Sequence, residues 1–135
     1  MQNAEKWQME GEKILIVEDN PLNMQLAMYV LEAAGYVVLQ AEDAEKGIAL
    51  ARAERPAVIL MDESLPGMDG LSATKVLKQD PSMKDIRIVM LTAHAMKGDE
   101  EKALSAGCDG YLTKPIDTRK FAQQVAQFVK SSRDT

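Results

Sequence analysis

Residues 14–20 read ILIVEDN, four aliphatic residues followed by two acidic residues and an asparagine. A continuously apolar run of this length is expected for a strand that is covered on both faces, as in a parallel sheet. Similar runs that end on polar residues return at residues 37–40, 58–62, 86–92 and 110–114. Each run is followed by a segment with apolar residues at helical spacing. This alternation indicates βαβ units, so we predict an α/β domain with a parallel sheet.

The predicted helices have recognisable ends. The first has Asn20 as its N-cap, Pro21 as its first residue and Gly35 as its stop signal. Its apolar spacing predicts a buried stripe made of Leu22, Leu26, Tyr29, Val30 and Ala33. The other predicted helices are residues 44–54 behind Asp43, 71–78, 98–106, and 118–130 behind Asp117.

Composition limits the class of protein. The 135 residues correspond to one domain, and 46% hydrophobic with 27% charged residues is a globular balance that argues against disorder. A formal net charge of −5 disfavours direct binding to nucleic acid, because phosphates would be repelled. The single cysteine cannot form an internal disulfide, and no apolar run approaches the roughly 18 residues of a membrane span. We therefore expect a cytoplasmic protein that binds neither nucleic acid nor membrane.

The chain is expected to have three parts. Residues 1–12 are polar and lack a period, so they are predicted to be an N-terminal extension, followed by the domain at 13–131 and a short tail at 132–135. Trp7 in the extension is interpreted either as a docking residue or, more simply, as a side chain that lies on the domain.

Polar residues stand at the carboxyl ends of four predicted strands. They are Glu18, Asp19, Asp62, Thr92 and Lys114. The carboxyl ends of parallel strands share one edge of the sheet, where ligands bind in such folds. Two carboxylates ~5 Å apart repel by roughly 3 kcal/mol at an effective dielectric near 20, so three of them require a cation. An oxygen-only set favours Mg²⁺, or Mn²⁺ in its place, and the absence of His and Cys from the set argues against zinc.

Four separated motifs together resemble the receiver domain of bacterial two-component response regulators, the CheY-like superfamily. They are ILIVEDN at 14–20, LMDESLPGMDG at 60–70, LTA at 91–93 and GYLTKP at 110–115. Residues 18–24 and 95–101 also resemble a stand-alone cell-cycle regulator and receivers fused to hybrid kinases. The resemblance covers nearly all of residues 13–130. It implies a flavodoxin-like (βα)5 fold with a doubly wound, five-stranded parallel sheet of order 2-1-3-4-5.

The resemblance assigns the phosphoryl chemistry to the acidic residues. Asp62 is implied to be the phosphoacceptor, a carboxylate nucleophile that takes a phosphoryl group from a phosphohistidine. Glu18 and Asp19 are implied to bind Mg²⁺ together with Asp62 and the backbone carbonyl of Ser64. Many family members have a larger or amide side chain at the position of Ser64, so the lifetime of the phosphorylated state is left open.

The resemblance assigns the response to the last two strands. Lys114 is implied to pair with a phosphoryl oxygen, and the Lys114-Pro115 peptide to be cis. Thr92 is implied to move towards the phosphoryl group, and Tyr111 to rotate into the space that Thr92 leaves. The face formed by the fourth helix, fifth strand and fifth helix would then change shape.

The implied function is a phosphorylation-controlled signalling switch and not an enzyme with an outside substrate, since the domain catalyses only its own phosphorylation and dephosphorylation. The implied donor is a histidine kinase or a histidine phosphotransfer protein, and the output is contact with a downstream protein target. We expect a monomer, or a weak dimer linked to phosphorylation.

Three alternatives stay open at this point. An aspartate-nucleophile phosphatase would need a second Asp two positions after Asp62, where this chain has Ser64. A pseudo-receiver adaptor that is never phosphorylated is opposed by five intact residues, Glu18, Asp19, Asp62, Thr92 and Lys114. The third alternative is a receiver module of a larger hybrid histidine kinase or response regulator. If residues 1–135 are the whole protein, its output must be contact with another protein.

Two remaining residues are given simple interpretations. His94, the one histidine, has no serine or cysteine partner pattern around it and is interpreted as a surface residue and not a catalytic base. Cys108 is interpreted as a small buried hydrophobe in preference to a redox sensor.

Overall fold

The structure is a computed structural model that describes residues 11–93 and 97–133. The interpretations of Trp7 and His94 lie outside these residues. The strands are β1 (Lys13–Val17), β2 (Val37–Ala41), β3 (Val58–Asp62), β4 (Arg87–Thr92) and β5 (Gly110–Thr113). The helices are α1 (Pro21–Ala33), α2 (Ala44–Glu54), α3 (Gly70–Lys78), α4 (Lys97–Ser105) and α5 (Phe121–Arg133), with a 3-10 turn at Pro81–Met83.

The five strands form one parallel sheet in the order β2-β1-β3-β4-β5, which confirms the predicted fold. Side chains of successive strand residues point to opposite faces, so each face of the sheet has its own hydrophobic cluster. One face packs on α2 and α3 through Leu15, Val17, Ile59, Met61, Ile88 and Met90. The other packs on α1 and α5 through Ile14, Ile16, Val58, Leu60, Val89 and Leu91.

The prediction of the buried stripe of α1 is wrong. Leu22 and Tyr29 are 76% and 74% exposed, Leu26 is 39% exposed and Ala33 is also exposed, while Val30 is half-buried. The residues that face the core are Met24, Ala27 and Leu31. The helix carries two apolar stripes at helical spacing, and periodicity does not tell which of them faces the sheet. The exposed residues Leu22, Leu26 and Tyr29 are called the α1 stripe below.

The helix ends agree with the sequence at two caps and differ at a third. The Asn20 side chain accepts hydrogen bonds from the backbone N–H groups of Leu22 and Asn23 at 2.9 and 3.1 Å, and Asp43 caps α2. The last helix begins at Phe121 and not at residue 118. The backbone carbonyl of Asp117 accepts from the N–H groups of residues 120 and 121, so a turn precedes the helix.

No helix in the described ranges 11–93 and 97–133 is long and apolar enough to cross a membrane. The division of the chain into an extension, a domain and a tail stays a prediction, with α5 running to Arg133.

Candidate functional site

The sheet register brings the polar strand ends together. Val17 of β1 is aligned with Met61 of β3, so the residues that follow β1 lie beside the last residue of β3, Asp62. Asp62 is in turn aligned with Leu91 of β4, next to Thr92. Strand β5 pairs with the outer side of β4, and Lys114 follows it directly. The predicted strand-end residues therefore meet at one edge of the sheet.

Three carboxylates form the centre of this edge. One oxygen from each of Glu18, Asp19 and Asp62 lies within 4.8 Å of the others. Glu18 and Asp62 are only 3% and 4% exposed, whereas Asp19 is exposed. Burial raises the pKa of Glu18, and its hydrogen bond to Asp62 raises the pKa further, which outweighs the opposite effect of Lys114. Ionised Glu18 is thus held at an energetic cost that a further cation would relieve.

Lys114 contributes a positive charge from the far side of the site. Its Nζ lies 2.8 Å from Oε1 of Glu18 and 3.1 Å from Oδ2 of Asp62. Burial alone would lower the pKa of Lys114, but the hydrogen bonds to Glu18 and Asp62 outweigh it and the pKa is raised. The ammonium therefore stays protonated at neutral pH and bridges the two buried carboxylates. The Lys114-Pro115 peptide bond is cis.

The loop after β3 fixes the Asp62 carboxylate from its other side. The backbone N–H of Ser64 donates to Oδ1 of Asp62 at 3.1 Å. The N–H of Glu63 donates to the carbonyl of Leu91 at 2.9 Å, which ties the start of the loop to β4. With Lys114 on Oδ2 and the Ser64 N–H on Oδ1, the Asp62 carboxylate is oriented by two elements.

A close backbone approach shapes the same loop. The N–H of Gly70 donates to the carbonyl of Glu63 at 3.1 Å, and a Cβ at Gly70 would overlap the carbonyl oxygen of Asp62. A residue without a side chain is therefore required here. Sequence reasoning missed this role, and the only available signal was the glycine at the predicted start of a helix.

Asn20 is a second residue whose site contact was missed. Its backbone N–H donates to Oε2 of Glu18 at 3.2 Å, while its side chain caps α1. The capping role was predicted from residue type, but the contact with Glu18 depends on the path of the chain after β1. Glu18 is consequently held by Lys114 at one oxygen and by the α1 N-terminus at the other.

The two residues predicted to respond are placed differently. Thr92 is 2% exposed at the end of β4, and its carbonyl accepts from the N–H of Lys114 at 2.7 Å. Tyr111 is half-buried, and its hydroxyl donates to Oε2 of Glu100 on α4 at 3.4 Å. Thr92 thus adjoins the carboxylate site, and Tyr111 connects β5 with α4.

Cys108 lies away from the site. It is 6% exposed and its sulfur is 3.8 Å from the Thr74 hydroxyl. Burial raises the pKa of its thiol to about 11. This environment confirms the interpretation as a small buried hydrophobe.

The donor set fits a hard divalent cation. All three side-chain donors are carboxylate oxygens, and Mg²⁺–oxygen distances near 2.1 Å require ligand oxygens roughly 3–4 Å apart. The three oxygens lie within 4.8 Å of one another, which is close to that spacing. The role of the Ser64 backbone carbonyl as a further metal ligand stays a prediction.

Comparisons with known proteins point to one family. The family model described as "Response regulator receiver domain" matches residues 14–126. The polar-differentiation response regulator DivK of Brucella anthropi is 41% identical over 116 residues, which are 86% of this chain and 94% of that protein.

Solved structures agree. Chemotaxis response regulator CheY4 of Vibrio cholerae has a TM-score of 0.83 at 27% identity, covering 87% of this chain and 98% of that one. The receiver domain of sensor histidine kinase PA1611 from Pseudomonas aeruginosa has a TM-score of 0.82 at 35% identity, covering 89% of this chain and 98% of that one. That structure has a magnesium ion coordinated in its active-site cleft.

Proposed function

Because the chain belongs to the response regulator receiver domain family, we propose that Asp62 accepts a phosphoryl group from a phosphohistidine and that the protein acts as a two-component signalling switch. The observation that best supports this proposal is the arrangement around Asp62, where two neighbouring carboxylates and the Lys114 ammonium meet at the ends of β1, β3 and β5. This set supplies a nucleophile, a site for a divalent cation and a fixed positive charge.

The transfer needs one bond to form and one to break. A carboxylate oxygen of Asp62 attacks phosphorus, the phosphorus–nitrogen bond of the donor breaks, and the imidazole leaves with the electron pair. The N–H of Ser64 and the Nζ of Lys114 hold the acceptor carboxylate in place before attack. Lys114 then pairs with an oxygen of the transferred group.

Glu18, Asp19, Asp62 and the carbonyl of Ser64 would hold Mg²⁺, with Mn²⁺ as a substitute. When bound, such an ion would supply positive charge to offset that of the transferring phosphoryl oxygens. Asp19 is the exposed carboxylate of this set, and it therefore offers the first charged contact for an ion arriving from solvent.

The response is proposed to run through Thr92 and Tyr111 to α4. Thr92 turns towards the new phosphoryl oxygens, and Tyr111 rotates into the space it leaves. That rotation breaks the hydrogen bond between the Tyr111 hydroxyl and Glu100, which connects β5 with α4. The face made of α4, β5 and α5 then changes shape, and a downstream protein target reads the change.

The donor is proposed to bind along α1. The α1 stripe is exposed and begins two residues after Asn20, which contacts Glu18 in the site. A histidine kinase or histidine phosphotransfer protein that covers these residues brings its phosphohistidine to the same end of the sheet as Asp62. Transfer from a kinase that uses ATP places this step in the cytoplasm.

Intact mass after incubation with phosphoramidate and Mg²⁺ tests the proposal. We expect the gain of one phosphoryl group, its loss in Asp62→Asn, and its retention in Asp69→Asn. Asp69 is a matched control because it is an exposed aspartate of the same loop whose side chain caps α3. No gain in the unmodified protein at saturating donor and metal, or an unchanged gain in Asp62→Asn, would contradict the assignment.

A further inference from the structure

An open groove of about 580 Å³ lies between α3 and α4, on the flank of α4 that the proposed switch does not use. Its apolar floor is formed by Leu71, Gly98 and Ala106. The volume is in the range of sites that hold several side chains or a small ligand. Most of the lining residues are exposed, so the groove is open to a large partner and not only to a small molecule.

Small residues keep the groove from closing. An added Cβ at Gly98 would meet no atom within 4 Å, so there is free space above this position. Ala106 is a buried alanine at the C-terminal end of the groove. An apolar side chain supplied from outside can therefore enter between the two helices without displacing a residue of this chain.

The walls of the groove are basic in an otherwise acidic protein. Lys75 of α3 and Lys102 of α4 stand on opposite walls, and both are exposed. Glu101 is the single carboxylate among the lining residues, so the groove carries one net positive charge while the chain carries −5. Charge complementarity favours an acidic partner here and disfavours a basic one.

We propose that this groove binds an amphipathic helix of a partner protein, whose apolar ridge enters between α3 and α4 and whose flanking carboxylates pair with Lys75 and Lys102. Helix-in-groove recognition of this kind uses apolar anchors at i, i+3, i+4 and i+7. In the proposed complex, the apolar floor contacts the anchors of the partner helix. The two lysines favour acidic residues on the flanks of that helix.

Binding in the groove is coupled to the switch through α4. Glu100 accepts a hydrogen bond from Tyr111 on one flank of the helix, and the next residue, Glu101, lines the groove on the other. A movement of α4 that follows rotation of Tyr111 therefore changes the separation of Lys75 and Lys102. The affinity of the partner helix depends on phosphorylation for this reason, and this coupling rests on the proposed function.

The test uses a synthetic helical peptide with leucines at i, i+3, i+4 and i+7 and glutamates on both flanks. A second peptide has lysines in place of the glutamates. Each is titrated into ¹⁵N-labelled full-length protein, and amide shifts are followed by NMR. We expect the acidic peptide to shift the amides of Leu71, Gly98 and Ser105, with no comparable effect of the basic peptide.

Charge variants test the contacts. Lys75→Glu with Lys102→Glu should weaken binding of the acidic peptide by about 10-fold, because two exposed ion pairs are lost. Glu101→Gln should strengthen it. The matched control, Lys46→Glu with Lys120→Glu, changes the same charge at exposed residues outside the groove and should leave the affinity unchanged. Circular dichroism verifies that each variant is folded.

Equal binding of both peptides, shifts confined to the α1 stripe, or no shifts at all would overturn the groove assignment. Adding ATP to the peptide complex is a further check: displacement of the peptide, observed at the same amides, would also overturn it. A final arm repeats the titration with beryllofluoride and Mg²⁺ as a phosphate mimic and expects a several-fold change in affinity. If the peptide binds but Asp62 cannot be phosphorylated, the groove assignment is supported and the proposed function is refuted. Successful phosphorylation with unchanged affinity refutes the coupling.

Discussion

Lys114 and Glu18 are 96 residues apart in the sequence, yet their side chains form a 2.8 Å ion pair at the end of the sheet. The same ammonium is 3.1 Å from Asp62. One cation thus compensates two buried carboxylates, and the local charge balance leaves one negative charge unmatched. Two consequences of this imbalance can be measured without phosphorylation.

Glu18→Gln should increase the free energy of unfolding in metal-free buffer by about 1 kcal/mol. Burial and the neighbouring Asp62 raise the pKa of Glu18, so its ionised form destabilises the folded state at neutral pH. Asp62 remains as a partner for Lys114 in the variant. The gain should be full above the raised pKa and disappear as the pH falls below the unfolded value of 4.5, where Glu18 becomes protonated in both states.

Urea unfolding with EDTA at several pH values measures this difference. Glu42→Gln is the control, because the Glu42 side chain is 82% exposed and its removal should change stability little. Destabilisation by Glu18→Gln at pH 7 would show that the ion pair with Lys114 outweighs the burial of Glu18.

Lys114→Met should destabilise the metal-free protein by about 3 kcal/mol, because it leaves two buried carboxylates without a cation. Added Mg²⁺ should then raise the melting temperature of this variant more than that of the unmodified protein. Differential scanning fluorimetry with EDTA and with Mg²⁺ gives both values. Lys120→Met, an exposed lysine, serves as the comparison and should respond to Mg²⁺ like the unmodified protein.

Leu22→Ser with Tyr29→Ser should slow phosphotransfer from a phosphohistidine protein by about 10-fold or more, as truncation of interface anchors does. Both residues are largely exposed, so stability should change by less than about 0.5 kcal/mol. Phosphorylation by phosphoramidate needs no protein contact and should be unaffected. Val37→Ser, at another exposed apolar residue, should leave both reactions unchanged. Equal slowing with both donors would place the effect at Asp62 and not at docking.

Gly70→Ala should destabilise the protein by about 2 kcal/mol or more, because the new methyl group overlaps the backbone carbonyl of Asp62. Gly98→Ala is the matched substitution in an exposed helical position with free space, and it should be neutral or stabilising by up to about 1 kcal/mol. Thermal unfolding of both variants gives the comparison. Similar stability of the two variants would mean that the loop after β3 relaxes without strain.

Cys108 should react slowly with an aromatic disulfide reagent in the folded protein. Burial raises the pKa of its thiol to about 11, so only about one thiol in a thousand is ionised at pH 8. The reaction should accelerate in urea. Above pH 9 the unfolded thiol ionises before the folded one, so stability should fall between pH 9 and about 11, and Cys108→Ala should lack this component. Rapid reaction at pH 8 without denaturant would contradict the buried environment.

The meeting of Glu18, Asp19, Asp62 and Lys114 was predictable from the sequence because it follows from parallel topology, whereas the strand order was implied by the resemblance to the receiver family. Polar residues at the carboxyl ends of parallel strands share an edge whatever their spacing in the chain. Contacts that depend on local backbone path were not predictable in this way. The hydrogen bond from Asn20 to Glu18 and the approach of Gly70 to Asp62 require distances that residue types do not contain.

The error in α1 has a different cause. Both of its apolar stripes have helical spacing, and the outward one also carries large side chains, among them Leu22 and Tyr29. Hydrophobicity alone therefore does not select the face that packs on the sheet. The correct face is decided by the shape of the sheet and of α5, against which Met24, Ala27 and Leu31 fit.

The strands that carry the site residues differ in how deeply they are buried. Every residue of β3 is buried, so Asp62 is anchored in the middle of the sheet. The edge strand β5, which leads to Lys114, has no fully buried residue and is paired on one side only. If Asp62 is phosphorylated as proposed, we expect the added charge to displace the edge strand β5, while Asp62 itself keeps its position in the sheet.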